Sequence, residues 1–440
     1  MRAFTASSFA ASRFASPFMA TVGAACSAAL AVPLVLLPGG AAQAADVPAG
    51  GLQSLPLQPL RGLQPLDAGG GEAGDPAESA AGGSGSAAGQ GLPATTTEPF
   101  SLLGIVWTDA DAELHGRAQV RTRAIGDGGT DEAGGDGGNG GGGGEEEWSP
   151  WRELEADPAH TPDPDSAEAA DPGVRGGTAP LWVGPSDGVQ VRVLPDDGSA
   201  AEEGLPDGLR LELIDTGQDA APEAVTQPQA VVPAAAAAGA HEGPRPPIVI
   251  RSGWGADESL RESGFAYTDT VKTVFVHHTA GTNDYSCSEA PSILRGIYRY
   301  HVESQGWRDV GYNFFVDRCG TIYEGRAGGV AEPVQGAHTL GFNHNSMGVA
   351  VLGTYSSTKP NKDITDNLSL LTAWKLGLHG GDPQGTRNRT SSGGKHAAGT
   401  TIKLKNVSGH RDAYSTDCPG GELYASLGTI RSTAARLQGR

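Results

Sequence analysis

Three stretches of this 440-residue chain cannot build a core, and they decide where folding can happen. Residues 45–97 are Gly, Ala, Ser, Pro and Leu with scattered acids, and 126–147 is a Gly/Asp/Glu run. Residues 217–246 are Ala, Pro, Gln and Gly, including five alanines at 234–238. None holds a sustained apolar period, so none buries enough apolar area to offset its ordering entropy. The expectation is two disordered linkers, 45–97 and 217–246, and a disordered insert, 126–147. That leaves two pieces able to fold, 98–216 and 247–440.

The first 44 residues read as a signal peptide. Arg2 and Arg13 form a positive start, Phe18 to Leu37 is apolar and small, and Ala42-Gln43-Ala44 offers a cleavage site. A membrane anchor fits less well, because the run is rich in alanine and ends in Pro38-Gly39. The mature chain is expected to be exported, secreted or at the cell wall, with no integral membrane segment. Cys26 then leaves with the leader, and Cys287, Cys319 and Cys418 remain. An odd count in an oxidising compartment asks which thiol stays unpaired. Cys287 and Cys319 bracket one helix and one strand, and a bridge between them would contribute roughly 3–4 kcal/mol. The competing arrangement pairs Cys418 with either partner.

Residues 98–216 carry short apolar runs separated by turn chemistry: 100–107, 118–123, 148–154, 180–183, 189–193 and 209–213. Several alternate apolar and polar residues, which predicts a smaller all-β, sandwich-like domain. Four of the seven tryptophans fall here, as a carbohydrate-stacking platform or, by default, as core. Charge is divided between the pieces. The net charge is −20, yet the part after Pro246 holds 20 Lys/Arg against 17 Asp/Glu. That part is suited to an anionic wall, the acidic front half to solubility, and no basic stripe marks nucleic-acid binding.

Beyond Ile248 both structural periods appear. Strands are expected at 274–278, 312–316, 321–324 and 347–353, and helices at 292–301, 364–379 and 423–437. Gly380 closes the second helix, and 385–405 reads as an irregular hairpin. This is an α/β domain, a mixed β-sheet flanked by helices. The first strand ends in His277-His278, and far downstream His410 and Cys418 lie eight residues apart on a polar turn. Two imidazoles and one thiolate supply three ligands of a tetrahedral Zn2+, leaving the fourth position open as in catalytic sites. Spacing does not say which of His277 and His278 takes part.

Residues 251–437 resemble the zinc amidases related to bacteriophage T7 lysozyme and to peptidoglycan recognition proteins. The matching stretches are Arg251-Ser-Gly-Trp-Gly-Ala256, Val274 to Thr279, His301, Gly306 to Phe314, and Gly320 to Arg326. They continue through Gly336-Ala-His338, Phe342-Asn343, Ser346 to Ala350 and Gly409 to Gly420. A leader, a β-rich domain and a C-terminal amidase resemble the secreted actinobacterial type. The resemblance implies metal ligation by His277, His410 and Cys418, with Tyr312 as catalytic tyrosine. It places His338 and Asn343 at substrate-groove positions, and His278 and His301 as packed or supporting residues. Thr416 falls where the phage enzyme carries a lysine, which excludes a lysine-assisted mechanism. Keeping the cysteine favours an enzyme, since recognition proteins without hydrolytic activity typically lack it.

The implied activity is zinc-assisted hydrolysis of the amide between N-acetylmuramic acid and the L-alanine of the stem peptide, by a monomer. Its partner would be peptidoglycan. The rivals are a peptidoglycan sensor that keeps zinc to shape its groove, and a wall-tethered protein with little hydrolytic activity.

Overall fold

The computed structural model describes residues 50–60, 89–125, 148–156, 160–196, 205–217 and 241–440. The expected signal peptide 1–44, the expected insert 126–147 and most of the second expected linker lie outside these residues. All described residues belong to one compact unit, Val47–Arg440.

The accessory domain is all-β. Its strands are β1 (Leu52–Pro56), β2 (Gln58–Leu60), β3 (Gly89–Trp107), β4 (Gly116–Ala124), β5 (Arg152–Leu154), β6 (Gly176–Gly177), β7 (Leu181–Pro195) and β8 (Arg210–Ile214). They pair antiparallel in the order β1-β8-β3-β7-β4-β5, with β2 and β6 also on β3. The long strands β3 and β7 shift register after Leu92, Thr96 and Phe100, the irregularity by which a sheet bends. The sheet curls around Leu103, Ile105, Trp107, Val191, Leu211 and Leu213. Trp107 and Trp182 are buried, as the core default expects. Trp148 and Trp151 are half-buried with the Arg121 and Arg192 guanidinium groups over their rings.

The domain starts earlier than its sequence suggests, which corrects the expected linker 45–97. β1 adds to β8 with Leu52 opposite Ile214, and β3 already runs at Gly89. The side chains of β1 are half exposed, so main-chain pairing and not a buried face holds it, and no apolar alternation announces it. The end of the second expected linker is likewise ordered. Gly243 lies against the backbone of Ala373 and Trp374, and Arg245 covers the Trp374 ring at 5.7 Å.

In the C-terminal domain the strands are β9 (Thr273–His278), β10 (Phe314–Val316), β11 (Ile322–Glu324), β12 (Ser346–Val351), the hairpin β13 (Thr386–Thr390) and β14 (Thr401–Lys405), and β15 (Val407–Gly409). The helices are α1 (Ala290–Arg299), α2 (Lys362–Leu378) and α3 (Gly421–Leu437). The five-stranded sheet has the order β11-β10-β12-β9-β15, parallel except for β11. All six residues of β9 are buried, as befits a parallel strand covered on both faces. Val274, Val276, Val349 and Val351 pack with α2 and α3 on one side. Each helix begins two residues before its expected start; Asn361 caps α2 by accepting from the Ile364 N–H at 3.0 Å.

The two domains share a core. Leu102, Val106, Trp182 and Ile214 of the accessory sheet pack with Ile293, Ile297 and Tyr300 in or just after α1. Gly104 lets the accessory sheet approach the end of α1: a Cβ there would stand 2.5 Å from the Tyr300 ring. The Tyr300 hydroxyl lies 3.1 and 3.0 Å from the Ile105 and Thr178 carbonyls, which share its one proton. Cys287 and Cys319 are bridged, with Cα atoms 6.2 Å apart, and Cys418 is buried and outside that disulfide.

Candidate metal centre

Parallel strands bring distant residues together at their carboxyl ends. His277 is next to last in β9, and β15 beside it ends at Gly409, opposite Val276. His410 follows in a turn, His410–Asp412, that is fixed by its own acid: Asp412 accepts from the Gly409 N–H at 3.0 Å and from the Tyr424 hydroxyl at 2.6 Å. The chain then folds back, the Arg411 N–H bonding the Cys418 carbonyl at 3.0 Å, which places the thiol beside the imidazoles. Alternation along β9 separates the two adjacent histidines. His277 shares the Phe275 face, while His278 turns to the opposite face and accepts from the Tyr355 N–H through Nδ1 at 3.2 Å.

A fourth side chain joins them. His160, on an irregular segment of the accessory domain, completes a cluster with His277, His410 and Cys418 whose donor atoms all lie within 4.8 Å of one another. His277 Nδ1 is 3.0 Å from His160 Nε2 and 3.6 Å from Cys418 Sγ, and His160 Nε2 is 4.0 Å from that sulfur. Usual zinc bond lengths make the edges of a tetrahedron roughly 3.3 Å between nitrogens and 3.6 Å from nitrogen to sulfur. Imidazoles and a thiol are the donors zinc prefers, so the cluster fits that ion. Burial, reinforced by the neighbouring imidazoles, holds His277 well below the ordinary imidazole range, in the neutral form that coordinates.

Behind the cluster a hydrogen-bonded chain orients His277. Thr339 Oγ1 lies 3.4 Å from His277 Nε2 and 2.9 Å from His338 Nδ1. His338 fits only because Gly348 has no side chain; a Cβ there would be 2.4 Å from the ring. The Asn343 carbonyl oxygen accepts from the His338 and Thr339 N–H groups at 2.7 and 2.9 Å. Both His338 and Asn343 have no exposed surface, so in this conformation they support the site from beneath. Tyr312 lies beside the metal cluster, its ring centroid 5.4 Å from that of His277 and 5.6 Å from that of His160. Thr416 Oγ1 accepts from the Cys418 N–H at 3.1 Å. His301 packs on the Trp307 ring at 4.4 Å and accepts from the Gly311 N–H, one layer back from the cluster.

His160 gives no signal in the sequence. It stands in a Pro/Asp-rich stretch with neither apolar period nor ligand spacing, 117 residues from His277. What positions it follows it in the chain. Asp163 is buried and accepts from the Gly341 N–H at 2.8 Å, the Asn343 N–H at 3.4 Å and the His344 N–H at 3.2 Å, and from the Asn343 amide at 2.8 Å. Glu168 pairs with Arg326 through both oxygens, at 2.8 and 2.9 Å, and accepts from the Arg308 N–H.

The sequence model of the N-acetylmuramoyl-L-alanine amidase family matches residues 267–421, and that of an N-terminal galactose-binding domain-like family matches 143–234. Peptidoglycan-recognition protein SC2 of Drosophila simulans is 32% identical over 184 residues, 41% of this chain and 85% of that relative. Human peptidoglycan recognition protein 3 is 34% identical over 116 residues, 26% of this chain and 32% of its own length. Among solved structures, Drosophila PGRP-LB is 27% identical, covers 41% of this chain and 92% of its own, and superposes with a TM-score of 0.33. With the site's donors assembled and a relative matched over most of its length, this chain belongs to the family of N-acetylmuramoyl-L-alanine amidases and peptidoglycan recognition proteins.

Proposed function

We propose that the chain is an exported, zinc-dependent N-acetylmuramoyl-L-alanine amidase acting on peptidoglycan. The observation that carries this reading is the buried His277, His410 and Cys418 donor set with Tyr312 alongside. Zinc held there supplies a Lewis acid that polarises an amide carbonyl and lowers the pKa of water towards about 7. The protein's own groups do the rest. The Tyr312 hydroxyl donates to the carbonyl oxygen as negative charge develops on it. Thr339 and His338 keep His277 in the orientation that presents Nδ1 to the metal. Thr416 acts as a positioning residue, holding the turn that carries Cys418. Asn343 fixes the loop 338–344 on which those contacts depend.

The test is digestion of purified peptidoglycan, reading new L-alanine amino termini by mass spectrometry. It is run with the mature chain and with His160→Ala, because His160 lies on the cluster. Absence of such termini from both proteins overturns the reading. In whichever protein is the more active, Tyr312→Phe should lower turnover by about 100- to 1000-fold, with zinc content unchanged. Turnover within a few-fold of the parent removes Tyr312 from the chemistry.

A further inference from the structure

We propose that His160 is the fourth protein ligand of the metal, so that the chain as folded holds a closed site and residues 160–168 lie where substrate would bind. The ligand assignment rests on the metal site described above; the latency that follows rests also on the amidase reading. Three observations support it. His160 Nε2 stands from His277 Nδ1 and Cys418 Sγ at the spacing of ligands around one ion. Its ring also packs against those of His277 and His410, with centroids 5.0 and 4.4 Å away, and presents an edge to Tyr312.

The second observation is the way the segment is fastened. Asp163 fills a cradle of main-chain N–H groups from the loop 341–344, and Asn343 also donates to the Thr161 carbonyl at 3.0 Å. Five residues on, the Glu168 carboxylate sits in the Arg326 fork, the two side chains 8% and 4% exposed. A buried carboxylate is tolerated only where charge and hydrogen bonds compensate its desolvation. Here two of them compensate it with groups of the amidase domain, so the segment is docked and not merely adjacent. The third observation is coordination number. A metal with four protein ligands has no position left for water or for a substrate carbonyl, which is the structural and not the catalytic arrangement of zinc. Withdrawal of His160 opens that position and uncovers Asn343 in the same movement. Asp163 and Glu168 are themselves carboxylates in donor-lined pockets, so an acidic peptide is the ligand chemistry that competes with the segment for this groove.

The experiment compares the mature chain with His160→Ala and with Asp163→Ala, which removes an anchor and no ligand. Each is loaded with cobalt in place of zinc, and its visible absorption is read together with zinc transfer to a chromophoric chelator. The parent should give the spectrum of four protein donors and slow transfer. His160→Ala should give a changed cobalt spectrum and zinc transfer faster by about tenfold or more. Asp163→Ala should show a mixture of the two spectra. Peptidoglycan hydrolysis should rise by about tenfold or more in both variants, as the competent fraction rises. Identical cobalt spectra and transfer rates in parent and His160→Ala overturn the fourth ligand. A changed donor set with no hydrolysis by any of the three proteins supports the fourth ligand and overturns the amidase reading. An unchanged donor set with equal hydrolysis throughout does the reverse.

Discussion

His277 lies at the carboxyl end of a parallel strand covered on both faces, with His410 and Cys418 on the turn after its neighbour, whereas His160 hangs from an irregular segment held by two carboxylates. The difference lies in what fastens each. His277 is placed by β9, whose Val274 and Val276 are in the core, and His410 and Cys418 follow β15 on a buried turn held by Asp412 and by the Arg411–Cys418 main-chain bond. The segment 160–168 is placed by hydrogen bonds and an ion pair, which water can replace. Local opening costs less where few apolar contacts are lost, so the two regions should part there first. In the proposed site the ligands that must persist sit at or just after the strand ends, and the one that can be withdrawn sits on the strap.

Four measurements bear on that contrast, the largest effect first. Cys418→Ser in the His160→Ala background takes a donor from the permanent set, and the two imidazoles left behind hold zinc too weakly to survive dialysis. Zinc should fall from one per chain to nearly none; full occupancy would mean that the sheet-borne ligands are not the anchor of the site.

Acid should act on the buried imidazoles of the amidase side. His277, His301 and His338 are held well below their ordinary range, chiefly by burial. The unfolded chain therefore takes up protons that the folded chain refuses once pH falls below about 6.5. Stability of the metal-free protein is complete above that pH and should drop steadily from pH 7 to pH 5. A flat melting temperature over that range would show these imidazoles protonated in the fold.

The domain boundary tests whether the accessory sheet is core or appendage. Leu102 packs against Gly296 of α1 with no exposed surface. Leu102→Ala should lower stability by about 2–5 kcal/mol, and both domains should still melt together in calorimetry. Two separate transitions in the parent would mean that the strap crosses a loose interface. The smallest effect is expected for Tyr300→Phe, which keeps the ring against Gly104 and removes one buried donor. It should cost about 1 kcal/mol, read as a shift in denaturant midpoint. No shift would mean that the ring alone carries the contact.

Much of the amidase half is legible in the amino-acid pattern. Its strands and helices have strong periods, Gly380 stands at φ +67° after α2 as a C-terminal stop, and the Cys287–Cys319 bridge leaves the Cys418 thiol to the donor cluster. The site donors His277, His410 and Cys418 come together at the strand ends because parallel strands align their carboxyl ends. The accessory half is legible only in its buried strands. β1 reads as linker because a strand held by main-chain pairing leaves no trace in side-chain pattern.

What the sequence alone determined is therefore whatever local period and residue chemistry encode: two folding regions, their strand and helix types, and the donor types available to a metal. The tertiary structure decided the rest. It chose His277 over His278 by assigning each face of β9 to a different neighbour, a choice alternation requires but does not direct. It buried His338 and Asn343 beneath the cluster, where the resemblance implies positions open to a substrate groove. It also brought in His160, whose place depends on Asp163 and Glu168 finding the amides of 341–344 and the Arg326 fork. Those partners lie more than a hundred residues away along the chain, and no local pattern reports a contact made only after two domains have packed.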